Sequence, residues 1–338
     1  MTVPPDPLQL SDLPEPILVV GGYGYRNVGD EAILAGLLTT LGGRQVSVVS
    51  RSPAETAAQH GVPAISLVQA ISALRRHRTV LIGGGGLFGR DMGRLGRLLP
   101  LFGLLARALG RRLVVDGVGV DAGITGPNRL LVQSMLRAAD RVTVRDEASA
   151  RLLRGWGIEP RVAEDLSARM APAVARVGRS LLRAAGVDER RPVIGLCLTA
   201  VNEALTPAVT AAVADLMQRH PELQFCFIPM SQHPFVERHN DLFLARSLQA
   251  AFPRLKIVEG AAHPAAIRSL FGALDAVVAM RYHAYLFAER ASTPLIPIAY
   301  ADKSLAWLEE RGLQAVEPSG ETLSRALETS LPARSAAS

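Results

Sequence analysis

Short runs of Val, Ile and Leu recur along the sequence, separated by longer Ala-, Leu- and Arg-rich segments of helical period. This alternation limits the chain to parallel sheets covered on both faces by helices. A first series predicts strands near residues 17–21, 45–49, 79–82, 113–115 and 141–144. After a helical stretch over 167–185, a second series predicts strands near 193–198, 224–228, 256–258, 276–279 and 295–298. With 338 residues, 49% of them apolar, the chain exceeds one ordinary core and fits two α/β domains of roughly 150 residues each. The expected fold class is therefore α/β, with two Rossmann-like domains facing a cleft. The expected division is a disordered leader (1–15), an N-terminal domain (16–166), a helical linker (167–190), a C-terminal domain (191–330) and a disordered tail (331–338).

Charge narrows the partners. Lys and Arg total 37 against 31 Asp and Glu, a formal charge of +6 that favours anions. No basic run is interleaved with the aromatics on which single strands stack, so nucleic acid is not an expected partner. Cys197 and Cys226 both lie in apolar strand-like runs and read as buried free thiols, which points to a reducing, cytoplasmic setting. The proline-rich, acidic N-terminus lacks the pattern of a secretory signal, and no apolar run approaches the ~20 residues needed to span a bilayer. Residues 90–97 place arginines three or four apart beside leucines. That pattern suits either a solvated helix face or peripheral contact with an anionic membrane surface.

Ligands of such sheets sit outside the carboxyl ends of the strands, so chemistry is sought in the turns that follow them. After the first strand, Gly21-Gly22-Tyr23-Gly24-Tyr25-Arg26-Asn27-Val28-Gly29-Asp30 leads into a helix over residues 31–41. The dinucleotide spacing G-x-G-x-x-G fails here, because Asn27 occupies the third glycine position. Asp30 is a poor neighbour for phosphate at a helix start. A hydroxyl-rich sugar suits Asn27 and Asp30 better; the alternative is a capped turn with no ligand. Gly83, Gly84, Gly85 and Gly86 follow the third strand, and their exposed backbone would form an anion nest or a close-approach surface. Arg145 ends the fifth strand, either as a ligand cation or as a structural partner of Asp146 or Asp165.

In the second half, residues 275–283 (DAVVAMRYH) run from an apolar strand into Arg281, Tyr282 and His283. A fixed cation and a titratable imidazole at a strand mouth can bind an anion and move a proton; the alternative is a histidine satisfied in the core. Lys303, one of very few lysines, is a second candidate cation at the next strand mouth. His233, after the second strand of this series, is a weaker candidate.

Together, GYRNVGDEAIL (24–34), the four glycines, Val144-Arg145-Asp146 with Ser149 and Gly155, Met280-Arg281-Tyr282-His283, and Tyr300 with Lys303 resemble the polysaccharide pyruvyltransferase family. The resemblance extends over residues 17–312 and is nearest to the cell-surface-anchoring (CsaB-like) branch. Tyr282 departs from the leucine of many members, and Tyr25-Arg26 from the usual first turn. The resemblance implies a GT-B-like fold and transfer of a pyruvyl group from phosphoenolpyruvate to two sugar hydroxyls, forming a ketal and releasing phosphate. It implies His283 as general acid, with Arg145, Arg281, Tyr282 and Lys303 on the phosphoenolpyruvate side. Asn27, Asp30, Gly84 and Gly85 would face the acceptor, a cell-wall glycan or lipid-linked saccharide containing N-acetylmannosamine. Such an acceptor belongs to a secondary cell-wall polymer used in S-layer anchoring, at the inner face of the membrane. No cofactor or metal is expected beyond phosphoenolpyruvate as donor. The alternative is a GT-B nucleotide-sugar glycosyltransferase, because Ala288-Glu289-Arg290 before Thr293-Pro294 echoes that class. A non-catalytic sugar-binding scaffold is a third reading.

Overall fold

In the computed structural model, described for residues 10–89, 94–260 and 262–331, the chain forms two compact units, Met1–Ala171 and Pro172–Ser338. The first contains seven parallel strands: β1 (Ile17–Val20), β2 (Val46–Val49), β3 (Ala64–Ile65), β4 (Thr79–Phe88), β5 (Arg112–Val120), β6 (Arg141–Val144) and β7 (Arg161–Val162), in the order β3-β2-β1-β4-β5-β6-β7. The second contains β8 (Val193–Cys197), β9 (Gln224–Phe227), β10 (Lys256–Ile257), β11 (Ala276–Ala279) and β12 (Leu295–Pro297), in the order β10-β9-β8-β11-β12. Each order reverses direction once, between β1 and β4 in the first sheet and between β8 and β11 in the second, the Rossmann pattern. All ten sequence-read strands form; β3 and β7, two residues each at the sheet edges, carry too little apolar pattern to be seen.

Alternation along the strands feeds two layers in the first unit. Ile17, Val19, Leu81 and Val114 face the helix Val28–Leu41 and Leu166. Leu18, Val20, Val80, Ile82 and Val115 face the opposite way, onto the helices Leu67–Ala73, Arg94–Ala108 and Gly126–Ala138.

Three expectations need correction. Of the supposed disordered leader, residues 1–9 lie outside the described residues, but 10–15 are packed. Leu10 and Leu13 are buried in the first layer, Thr79 donates to the Pro14 carbonyl at 2.7 Å, and Arg44 bonds Glu15 at 2.8 Å and the Leu10 carbonyl at 2.5 Å. Two leucines three residues apart give this segment an apolar face to bury, which outweighs its prolines. The glycine run is likewise not a turn: Gly83 to Gly86 continue β4, paired along β5 with an irregularity after Gly85. The segment 167–190 is divided rather than free-standing. Leu166–Arg169 packs on the helix Val28–Leu41 in the first unit, while the helix Ala175–Ala184 packs on Pro264–Phe271 in the second. Gly178 permits that second contact, because a Cβ there would lie 2.4 Å from the Leu270 backbone nitrogen. Of the tail, 332–338 lie outside the described residues, while Leu331 packs against the second core.

Candidate functional site

In the second unit, β11 ends at Ala279, and Met280 extends the ladder by donating to the Cys197 carbonyl at 3.0 Å. Arg281 is the N-cap residue of the helix Tyr282–Ala291, so its side chain leaves the backbone where strand becomes helix, at the reversal of strand order. The guanidinium is held by Asp241, with Nε donating at 3.1 Å to one carboxylate oxygen and Nη2 at 2.5 Å to the other. Such a two-point contact fixes the plane as well as the position of the cation. Asp241 is fully buried and also accepts from the Ser231 backbone N–H at 2.9 Å and from the Thr199 hydroxyl. Burial pushes this carboxyl above its ordinary value, and the Arg281 charge opposes the shift without cancelling it. Arg281 also bonds Tyr300, whose phenol is raised mainly by burial and so stays neutral.

Next to this pair, the rings of Tyr282 and His283 meet edge to face at 5.6 Å, and the Lys303 ammonium lies 5.9 Å from the Tyr282 ring centre. Tyr282 is buried and His283 half-buried. The structure thus gathers Arg281, Tyr282, His283, Tyr300 and Lys303 at the carboxyl ends of β11 and β12. A helix N-terminus at the same point favours negative charge. Cations, an imidazole and a helix dipole together can hold an anion and exchange a proton with it.

His233 has a local duty. Its Nδ1 accepts from the backbone N–H groups of Phe235 at 3.2 Å and Val236 at 3.1 Å, which requires an unprotonated nitrogen, and burial lowers its pKa in the same sense. Its ring lies 5.9 Å from His239, which is lowered by burial and then by the Arg281 charge. Sequence reasoning missed Asp241 and Thr199. The only trace of Asp241 is the helix-start dipeptide Asn240-Asp241, which any surface helix also shows.

In the first unit, the turn after β1 is built inward. Tyr23 is buried and donates to the Gly83 carbonyl at 3.0 Å, tying the turn to β4. Glu31 is buried, accepts from the Gly24 N–H at 2.8 Å and meets His60 Nε2 at 2.8 Å. Asn27 caps the helix Val28–Leu41, its side chain accepting from the Gly29 N–H at 3.0 Å. The Asp30 carboxylate sits against both glycine segments: a Cβ on Gly22 would lie 3.3 Å from one of its oxygens, and a Cβ on Gly85 3.2 Å from the other. Gly84 serves packing, because with φ +47° a Cβ there would lie 2.1 Å from Ile33 Cγ2. Asn27, Asp30 and Gly85 therefore share the carboxyl edge between β1 and β4, and Gly84 backs onto the core beneath them.

Arg145, at the end of β6, adopts the structural alternative. Its side chain is 2% exposed, with Nη1 at 3.3 Å from Asp165 and Nε at 3.6 Å from Asp146. Asp165 is anchored by the Ser167 N–H at 2.9 Å and Asp146 by the Ser149 N–H at 2.7 Å. A guanidinium enclosed by two fixed carboxylates has its charge largely countered, which fits the structural role that the sequence left open for Arg145 beside a donor-binding one. Among the described residues, no group of three or more His, Cys, Asp or Glu side chains is arranged to hold a metal ion.

Two Rossmann-like domains of this kind define a GT-B-like α/β protein. Solved structures agree in fold. UDP-GlcNAc 2-epimerase from Neisseria meningitidis aligns over 93% of this chain and 90% of its own at 11% identity, TM-score 0.65. HepE from Anabaena aligns over 93% and 89% at 14% identity, TM-score 0.58. ADP-heptose lipopolysaccharide heptosyltransferase II from E. coli aligns over 93% and 98% at 12% identity, TM-score 0.51. No curated protein matches the chain. The chain belongs to the polysaccharide pyruvyl transferase family, whose profile matches residues 27–302. That match takes in Asn27, Arg145 and the Arg281-Tyr282-His283 run and ends one residue before Lys303.

Proposed function

We propose that the protein moves the pyruvyl group of phosphoenolpyruvate onto two hydroxyls of one sugar of a cell-envelope glycan. The observation that carries this reading is the pairing of an oriented guanidinium with an imidazole at one strand mouth: Arg281 held on the buried Asp241, and His283 two residues on. Arg281 and Lys303 take the donor's carboxylate and phosphate, with Tyr282 between Lys303 and His283 as a wall. His283 delivers a proton to the methylene carbon, which leaves an oxocarbenium-like centre at the neighbouring carbon. One sugar hydroxyl adds to that centre, its bond to phosphate breaks, and the second hydroxyl closes the ketal. Of the two hydroxyl protons released, one balances the new methyl hydrogen and the other leaves with phosphate. The acceptor side is assigned to Asn27, Asp30 and Gly85, where carboxylate and amide suit sugar hydroxyls, with Gly84 supporting them from the core. Arg145 is left to its two carboxylates.

The motif resemblance supports the cell-surface-anchoring branch, with N-acetylmannosamine in a lipid-linked precursor of a secondary cell-wall polymer as acceptor, on the cytoplasmic side. The glycosyltransferase alternative loses its main support. Glu289 lies at the far end of the helix that Arg281 begins, paired with Arg311 at 2.5 Å, and the Thr293 hydroxyl bonds the Phe271 carbonyl at 2.7 Å. The test is incubation with phosphoenolpyruvate and a set of glycans, reading phosphate release and the ketal methyl signal. Stoichiometric phosphate and ketal are expected. Nucleotide-sugar turnover with no phosphate from phosphoenolpyruvate would sink the assignment.

A further inference from the structure

The two helical layers of the first unit meet solvent differently. The helix Val28–Leu41 is almost wholly covered, with Thr39 its exposed residue. The opposite layer turns leucines outward. On and just after the helix Arg94–Ala108, Leu98 is 48%, Leu101 52%, Leu105 40% and Leu109 47% exposed, at the three- and four-residue steps of one stripe. In the same layer, the helix Leu67–Ala73 exposes Val68 by 88% and Ile71 by 60%. The buried sides of both helices, Ala70 and Ala73 in one and Leu99 and Ala106 in the other, join the same core cluster, so both apolar stripes lie on the outer surface of that layer. Exposed apolar residues clustered this way mark an interaction surface.

Charge selects the partner. Between Glu55 and Asp116 the sequence has nine arginines and a single acidic residue, Asp91, a formal balance of +8 where the whole chain carries +6. Arg75, Arg76, Arg78, Arg97 and Arg107 are exposed. A second copy of this chain is disfavoured, because a two-fold contact through this face would set arginines against arginines. We propose that this face docks on an anionic lipid bilayer, with the helix Arg94–Ala108 lying in the plane of the headgroups. Its leucines enter the boundary with the acyl chains, and the surrounding arginines meet lipid phosphates. Of residues 90–97, to which the sequence alone draws the eye, 90–93 lie outside the described residues; the exposed leucines named above run from Leu98 to Leu109. No helix among the described residues is long and apolar enough to cross a membrane, so the contact is peripheral. The proposal does not rest on pyruvyl transfer, since binding needs no turnover.

The test is flotation of the full chain with vesicles of phosphatidylglycerol and phosphatidylcholine in equal parts, against vesicles of phosphatidylcholine alone. The bound fraction should be about tenfold higher on the anionic vesicles and fall with salt. Combining Leu98→Ser, Leu101→Ser and Leu105→Ser should lower it about tenfold, and so should Arg75→Glu with Arg97→Glu. Phe243→Ser, at a residue 55% exposed in the other unit, should float like the parent. Unchanged circular dichroism melting shows that the variants are folded. Equal flotation of the leucine variant and the parent, or no flotation of the parent, overturns the proposal. So does a lipid-free dimer that the leucine variant converts to monomer, because the face would then hold a second copy.

Discussion

At the carboxyl edge of the first sheet, Asp30 lies between two glycine segments and Glu31 is buried against Gly24 and His60. At the corresponding edge of the second sheet stand Arg281, His283 and Lys303, with their acid, Asp241, behind them. One strand order has been furnished twice, with carboxylates at one reversal point and with cations and an imidazole at the other. Arg145 and Arg281 repeat the contrast on a smaller scale. Both end strands and both touch carboxylates, yet Arg145 is 2% exposed between two of them, whereas Arg281 is 14% exposed and oriented by Asp241. A buried ion pair is weak evidence for stability. What distinguishes the two is how much of the cation still reaches the surface.

The strongest way to break this contrast is His283→Gln. If the second edge moves the proton, turnover should fall about 10²- to 10⁴-fold with the melting temperature unchanged. A comparable loss of melting temperature and activity would return His283 to the core. Next in size is Asp241→Asn, which keeps the shape and the bond from Ser231 but removes the charge behind Arg281. Loss of a charge-assisted bond of about 1.5–3 kcal/mol predicts a roughly 10- to 100-fold rise in KM for phosphoenolpyruvate. The stability difference between parent and variant should also change with pH in a defined direction. The folded Asp241 carboxyl titrates above the ordinary aspartate value of about 3.9, so across that window the folded state binds more protons than the unfolded state. The parent therefore loses stability relative to the variant as pH rises through the window. Urea midpoints of the two proteins across pH 4 to 7 would check the sign. A variant weaker at neutral pH than in acid would show that the pair serves the fold, and not only the aim of Arg281.

The sheets were legible because five and five apolar runs state them outright, and the strand mouth at 280–283 because one strand carries Arg281 and His283 together. Asp241 was not, because it reaches Arg281 across forty residues and nothing nearby in sequence marks an aspartate at a helix start for burial. Arg145 left two roles open in sequence, and the contact with Asp165 from twenty residues away, which favours the structural one, leaves no local pattern. The glycine run read as a turn because four glycines look like freedom. Against Tyr23, Leu37 and Ile33 they are instead the absence of side chains a close-packed strand requires. Packing partners of this kind are set by the fold and leave no local pattern.

The smallest effect tests the first edge. Asn27 does one thing visibly, capping the helix Val28–Leu41, and Asn27→Ala should cost about 1 kcal/mol for that reason alone. Asn27→Ser restores a cap of nearly equal quality and should recover the stability, read as a urea midpoint. Serine lacks the amide N–H₂ that would donate to a sugar oxygen. If this edge meets the acceptor, KM for the glycan should therefore stay raised in both variants while KM for phosphoenolpyruvate is unchanged. Recovery of the glycan KM with serine would leave Asn27 a cap and nothing more, and the contrast between the edges would then rest on Asp30, whose carboxylate already lines both glycine segments.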